Sequence, residues 1–468
     1  MTGTPWLVVS NCPVPGFDEA LSPVALGSVR VHTSAWSPVP GGDGMTFAVE
    51  AAGTSVHLEP DRVRVAVSGQ NTTPVYFAAE AATGRFVLGT DLPTTAAAFA
   101  SLTGTAAALR DDIGVHCGPL SSVVGVERLE HLVELDLRPE GGTWQCTRTR
   151  RSELVEPPIR FHDALLAGEA QVDALRVAIA DALSTEKNAG VLVSGGVDSG
   201  LVAALVAESG TPATAYTIGT EWGDEYDHAA EAARAVGLDL RRTALGADDI
   251  VAALPATVRA FGHGEPETIA IGVALTAFCR GGYAAERLLF TGYGSDLLNS
   301  GMATTDEIDG DIGAKVREAM HRTRYSSEFT WALGDGRGHR LTHPYWHPGV
   351  LDAALATDPA VKTFRGREKG HLRLAARALL PEDVAWRRKT AIHHGNGLGA
   401  NLSRLIDAHT GVPGGTALVH RALLASQIAT AVHDPLASLT GREAYDRAVA
   451  QVAGGSHQHL ISVEGGTR

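Results

Sequence analysis

Six consecutive residues, Ser194-Gly195-Gly196-Val197-Asp198-Ser199, concentrate anion-binding and metal-binding groups in one short stretch of this 468-residue chain. Adjacent glycines let backbone N–H groups converge on an anion, and a helix beginning near Asp198 would add the positive end of its dipole. Ser194 and Ser199 carry hydroxyl donors, and Asp198 supplies a hard oxygen suited to Mg²⁺. The chemistry on offer is the cradling of phosphate. It is not the Walker type, because no GxxxxGK run followed by Ser or Thr is present. A bare Gly-Gly turn capped by Asp or Ser is common and needs no ligand. The context here favours a ligand, because the loop leaves an apolar run, Val191-Leu192-Val193, inside a strand–helix alternation.

That alternation must position the loop. Helical spacing over Val172–Leu183 precedes a short buried strand at Gly190–Val193. Leu201–Ala207 reads as a helix, Ala213–Ile218 as a strand, Tyr226–Val236 as a helix and Leu240–Ala244 as a strand. An apolar helix near Ile269–Cys279 leads to a strand at Arg287–Phe290, and residues 300–450 read as mainly helical. Short strands alternating with helices predict a parallel sheet covered on both faces. Residues 1 to about 150 differ. Runs at Trp6–Ser10, Thr46–Ala51, Arg62–Ser68, Val75–Ala79 and Arg85–Gly89, broken by turn signals, predict a mostly β or α+β region. Ser152–Arg160, with Pro157-Pro158, reads as a linker, and the Gly-containing stretch from Gln451 as a mobile tail.

Composition narrows the partners. With 39 basic and 53 acidic side chains the net charge is −14, the wrong sign for a nucleic-acid surface. The apolar runs are too short and interrupted to span a bilayer, and no basic region precedes an apolar one at the N-terminus. Cys12, Cys117, Cys146 and Cys279 are scattered without a CxxC pair, which predicts reduced thiols in a cytoplasmic protein. Lysine is scarce: Lys187, Lys315, Lys362, Lys369 and Lys389 are the five in the chain. Each retained one is therefore worth attention.

The Ser194–Ser199 loop resembles the pyrophosphatase loop of enzymes that form adenylates and release pyrophosphate. A β-rich N-terminal region ahead of it is similar to the arrangement of the asparagine synthetase superfamily. Thr217-Ile218-Gly219-Thr220-Glu221 after the second strand extends the likeness, as do Thr291-Gly292-Tyr293-Gly294-Ser295-Asp296 and Thr342-His343-Pro344-Tyr345-Trp346. Arg387-Arg388-Lys389 with His394-Gly395-Asn396-Gly397 completes it. The tyrosine of Thr-Gly-Tyr-Gly departs from asparagine synthetases and resembles the β-lactam synthetases, including carbapenam synthetase. The likeness covers most of residues 165–410 and is weak over 1–150.

What the resemblance implies is specific. The fold would be α/β: a degenerate, Ntn-hydrolase-like α+β domain over 1–155, then a parallel-sheet ATP-pyrophosphatase synthetase domain over 165–450, of the adenine nucleotide alpha hydrolase-like type. Residues 451–468 would form a flexible tail. ATP and Mg²⁺ would be the cofactors, with Asp198 and Asp296 as metal ligands. Val193, Ser194, Gly195, Gly196, Asp198, Ser199, Thr217, Ile218, Gly292 and Lys369 would contact ATP or pyrophosphate. Tyr293, Glu328 and Lys389 would be catalytic, with Glu328 35 residues beyond Tyr293 and Lys389 a further 61. An ammonium nucleophile must lose a proton before it attacks, and a tyrosine held by a carboxylate can relay it. A lysine can stabilise the oxyanion and the departing AMP. Tyr293, Gly294, Ser295 and Asp296 would also border the substrate. At Gly200, Arg388 and Leu297-Leu298-Asn299-Ser300 the chain departs from the family pattern, and the last of these bears on substrate identity.

No counterpart of the glutaminase nucleophile of asparagine synthetases is expected, since the sequence reads Met1-Thr2-Gly3-Thr4 and its first cysteine is Cys12. Thr2, freed of Met1, would combine a hydroxyl with an α-amine base; an uninvolved terminus is the simpler expectation. The expected partner is a small β-amino acid carrying its own amine, with no nucleic acid and no membrane, and homo-oligomerisation is left open. The expected reaction is closure of a β-lactam in carbapenam- or clavam-type antibiotic biosynthesis. The alternatives are an adenylating ligase joining two molecules, including one using free ammonia, and an inactive scaffold homologue.

Overall fold

The computed structural model describes residues 6–34, 39–41, 44–49, 54–150, 157–301, 311–334, 338–388, 395–455 and 462–463. Its N-terminal part is built from two six-stranded antiparallel sheets. The first runs in the order Glu127–Arg128, Tyr76–Glu80, Arg85–Gly89, Leu7–Ser10, Val29–Thr33, Val24–Leu26. The second runs Thr143–Arg150, Val133–Glu140, Arg62–Ala66, Thr54–Glu59, Gly44–Val49, Val39–Gly41. Alternation makes the sandwich. Along Thr54–Glu59 and Val133–Leu137 every second residue is buried, so one face of each strand is apolar. Val56, Leu58, Val63, Val65, Leu135 and Leu137 meet Leu7, Val9, Val31, Phe77 and Leu88 of the facing sheet. The outer face of the first sheet, at Trp6, Val8 and Val87, is covered by Ala97, Ala98 and Leu102 of the helix Leu92–Thr103.

The C-terminal part holds a five-stranded parallel sheet, ordered Asp239–Leu245, Ala213–Thr220, Ala189–Leu192, Leu288–Phe290, Arg340–Thr342. Helices cover both faces. The helices Ala164–Leu183 and Val197–Glu208 pack into one core, and Ala247–Phe261 and Pro266–Gly281 into the other. The expected alternation holds, with boundaries moved by at most eight residues. Two elements escape a sequence reading. Ala247–Phe261 contains Pro255, a helix-breaking signal. Arg340–Thr342 is a three-residue edge strand inside the region expected to be mainly helical, too short to show any period. At the C-terminus a helix runs to Ala453, and Ser462–Val463 pairs with Ala107–Ala108. Residues 157–160 of the expected linker are without regular structure.

The two parts are joined by buried polar contacts. Asp91, N-cap of the helix Leu92–Thr103, accepts from Arg259 Nε and Nη2 at 3.1 Å each, and both side chains are buried. Arg259 also donates to Thr94 and Gln427, so its fork is filled. Removing one partner of such a pair leaves a bare charge in the interior. Asp91→Ala should therefore lose about 3–5 kcal/mol of stability, read as a lowered urea midpoint. A midpoint within error of the wild type would show that the pair contributes nothing.

Candidate active site

The strand Ala189–Leu192 ends in the Ser-Gly-Gly loop, and the helix Val197–Glu208 starts directly after it. Gly195 adopts φ 83°, and a Cβ there would stand 2.4 Å from the His228 carbonyl carbon, so only glycine fits. No side chain caps the helix at Gly196, which leaves its leading N–H groups for an anion. Ser194 N donates to Ser199 Oγ at 3.1 Å, and the two hydroxyls lie 3.2 Å apart. Arg387, which also lines the cavity, donates to the Gly195 carbonyl at 3.0 Å and braces the loop.

Asp198 points away from the loop into a charge cluster. Ser295 Oγ donates to its Oδ1 at 2.5 Å, while Lys369 Nζ pairs with its Oδ2. The same ammonium lies 2.5 Å from Asp296 Oδ1. Lys369 is fully buried. Burial alone would push its pKa down, but the charges of Asp198 and Asp296 outweigh it and hold the pKa above the usual lysine value. Two carboxylates gathered on one cation at the cavity wall are a hard-oxygen set that fits Mg²⁺.

Tyr293, in the turn after Leu288–Phe290, packs flat against His343 with ring centres 5.8 Å apart, and Phe329 meets it edge-on. Its hydroxyl donates to the Ile271 carbonyl at 3.3 Å. Burial, and then the charge of Glu328, push the phenol well above its usual value. Burial likewise raises the Glu328 carboxyl, against the pull of Arg322 and with Glu265 and Glu267 adding to the rise. His343 is driven down to about 3 by burial, so its ring is neutral, and it shares a 2.6 Å hydrogen bond with Thr291.

A cavity of about 140 Å³ collects these groups. Of the residues singled out in the sequence, Val193, Ser194, Gly196, Asp198, Ser199, Thr217, Ile218, Gly292, Tyr293 and Asp296 line it. Lys369 lies beneath the two aspartates instead of on the cavity wall, and Glu328 is also absent from that wall, although its charge acts on Tyr293. Ser295 sits beside the cavity without lining it. It is wholly buried, and its hydroxyl donates to Asp198, a bond that orients the carboxylate. Gly294 is likewise absent from the cavity wall; at φ 100° it starts the short helix Ser295–Leu298. Lys389, Thr2 and His394 lie outside the described residues. Leu192, Tyr216, Glu225, Leu275, Arg388 and Asn396 also line the cavity. Arg388 and Asn396 belong to segments already singled out in the sequence, whereas Leu192 and Tyr216 of the strands, Glu225 at a helix start and Leu275 inside the helix Pro266–Gly281 have no motif to announce them.

The fold and the cavity define a class that comparison identifies. Residues 172–333 and 333–453, more than half of the chain, match the family model described as asparagine synthase, and the chain belongs to that family. It is similar to the carboxyethyl-arginine beta-lactam-synthase of Streptomyces clavuligerus, at 28% identity over 290 residues, which is 62% of this chain and 56% of that protein. The chain thus spans little more than half the length of that relative. Among solved structures it is similar to NMN synthetase from Francisella tularensis, with TM-score 0.29, 11% identity, and coverage of 64% of this chain and 95% of that one. A U34-tRNA thiolase from Methanococcus maripaludis gives TM-score 0.24 at 14% identity, covering 55% of this chain and 80% of that one. Neither structural likeness carries an argument at such scores. Among the described residues no helix is long and apolar enough to cross a membrane.

Proposed function

We propose that this protein is an ATP- and Mg²⁺-dependent ligase that closes a β-lactam ring within a β-amino acid, by way of an acyl-adenylate, releasing AMP and pyrophosphate. The observation that carries the reading is the convergence of the Ser194–Ser199 loop, the Asp198–Lys369–Asp296 cluster and Tyr293 on one cavity. In the first step a substrate carboxylate oxygen attacks the α-phosphorus, and the bond to the pyrophosphate oxygen breaks. The loop N–H groups and the Ser194 and Ser199 hydroxyls hold the departing pyrophosphate. Mg²⁺, held by Asp198 and Asp296, supplies charge neutralisation to the phosphates when bound.

In the second step the substrate's amine nitrogen attacks the acyl carbon, the bond from that carbon to AMP breaks, and one proton leaves the nitrogen. Tyr293 takes that proton as its own hydroxyl proton passes to an ionised Glu328. Lys389, by resemblance, offers a positive charge to the oxyanion and the leaving AMP. The two packed antiparallel sheets support a degenerate Ntn-type N-terminal domain over 1–155, ahead of a synthetase domain over 165–450. A small-molecule partner and a cytoplasmic setting, in which the four free cysteines stay reduced, complete the reading.

The test is pyrophosphate release with ATP and candidate β-amino acids, carboxymethylproline-like and carboxyethylarginine-like. The expected result is release without added amine and a product lighter by one water. Strict dependence on a second amine or on ammonia would replace the reading with an intermolecular ligase. No release with any substrate would leave a scaffold.

A further inference from the structure

The helix Ile312–Ser326 ends two residues before Glu328, and the partners of its last four carbonyls can be accounted for one by one. The Thr323 carbonyl accepts from Ser326 Oγ at 3.1 Å, within the helix itself. The Arg324 carbonyl accepts from Asn71 Nδ2 at 2.9 Å and from Arg128 Nη2 at 3.2 Å. The Tyr325 carbonyl accepts from Arg128 Nη1 at 2.5 Å, and the Ser326 carbonyl from His263 Nε2 at 2.8 Å. Asn71 and Arg128 both belong to the N-terminal β-sheet part, more than 190 residues away in sequence. Both are buried, at 2% and 4% exposure. The grip is returned by Arg324 Nε, which donates to the Gly69 carbonyl at 2.9 Å, and by Tyr325, whose hydroxyl is 3.0 Å from His131 Nδ1.

Among the described residues no carboxylate pairs with Arg128. Its counter-charge is the negative end of the helix, which makes it a buried C-terminal cap. Beyond that cap Ser327 turns the chain at φ 60°, and Thr330 N closes a tight turn on the Ser327 carbonyl at 2.9 Å. The turn carries Glu328 and Phe329. Phe329 stacks on Trp346 with ring centres 4.8 Å apart, and Trp346 Nε1 in turn donates to the Gln70 carbonyl of the N-terminal part. A segment beginning with a left-handed residue would lose its direction without fixed ends.

We propose that Arg128 and Asn71 of the N-terminal part are positioning residues for Glu328, which rests on the catalytic reading of Glu328 above. The N-terminal part then serves the chemistry without touching substrate: it clamps the helix end from which the proton-relay carboxylate is presented. The groups facing Glu328 are Tyr293, Arg322, Glu265 and Glu267, with His263 at the helix end. Product formation should rise with pH as Glu328 ionises, and burial sets that limb above the ordinary carboxylate range. A loosened turn admits water to Glu328 and moves the limb to lower pH.

The experiment compares Arg128→Met with wild type in substrate-dependent ATP–pyrophosphate exchange, product formation against pH, and amide hydrogen exchange. The expected result is exchange within about threefold of wild type, product formation down about 100-fold, and the acid limb displaced downward. Peptides covering 323–330 should exchange faster while those covering 189–200 do not change. Equal losses in both reactions with the limb unmoved, or unchanged protection over 323–330, would overturn the proposal. Where Arg128→Met does not fold, Asn71→Ala and Arg128→Lys should show the same limb shift in smaller degree, and its absence from both counts as failure. A wild-type protein inert with every β-amino acid sinks the proposed function, and hydrogen exchange alone then decides the clamp.

Discussion

Replacing Lys369 with methionine should lower pyrophosphate release about 1,000-fold, in the range seen when a preorganised positive or hydrogen-bonding group is removed from a site of developing negative charge. Methionine preserves most of the buried volume, so the loss would be one of charge. Lys369 is 0% exposed and reaches Asp198 and Asp296 together. Without its ammonium the two carboxylates lose the cation that holds them side by side. Their placement for Mg²⁺ is then lost, so nucleotide affinity should fall with the rate. Arginine should not rescue the site. Gly301 lies so close that a Cβ there would stand 2.3 Å from Lys369 Cε, and the bulkier guanidinium has no space to turn. The measurement is release of labelled pyrophosphate with saturating substrate, beside ATP titration of each variant. Wild-type release in Lys369→Met would remove this residue from the chemistry.

Tyr293→Phe should separate the two steps. General acid–base groups contribute roughly 100- to 10,000-fold, so product formation should fall within that range while pyrophosphate exchange stays near wild type. The phenyl ring keeps its stack on His343 and its edge contact with Phe329, so the pocket wall is retained. Only the hydroxyl bonded to the Ile271 carbonyl is lost. The sign of the pH effect follows from Glu328. Its carboxyl is raised by burial and must be ionised to draw the phenol proton, so product formation should climb through a pH above the ordinary carboxylate value. The raised phenol itself remains protonated at neutral pH, ready to act once the amine arrives. Equal slowing of both steps in Tyr293→Phe would count against a relay and favour a purely structural ring.

Much of the site is legible in the sequence because it is local. Ser-Gly-Gly, the helix start behind it and Asp198 sit within six residues, and backbone geometry alone makes them an anion cradle. The parallel sheet is legible for a similar reason, since short apolar strands alternating with helices leave few other arrangements. Arg340–Thr342 is not legible, because three residues carry no period and the strand exists only by pairing with Leu288–Phe290. The placement of Ser295 is not legible for a related reason. Gly292, Tyr293 and Asp296 of its motif line the cavity, but the short helix after Gly294 turns its hydroxyl onto Asp198.

By itself, then, the sequence determined the chemical vocabulary of this protein: a phosphate loop, two aspartates, a tyrosine, and few lysines. The tertiary structure decided which of these groups meet. Asp198, Asp296 and Lys369 are scattered over more than 170 residues and share one charge cluster only because strand ends and a buried helix start converge. Arg128 and Asn71 carry no motif, and their capping of a helix in the other half depends on how the two halves dock. The physical reason is common to both. Electrostatic coupling and hydrogen bonds act through space over a few ångströms, and sequence patterns record only neighbours along the chain.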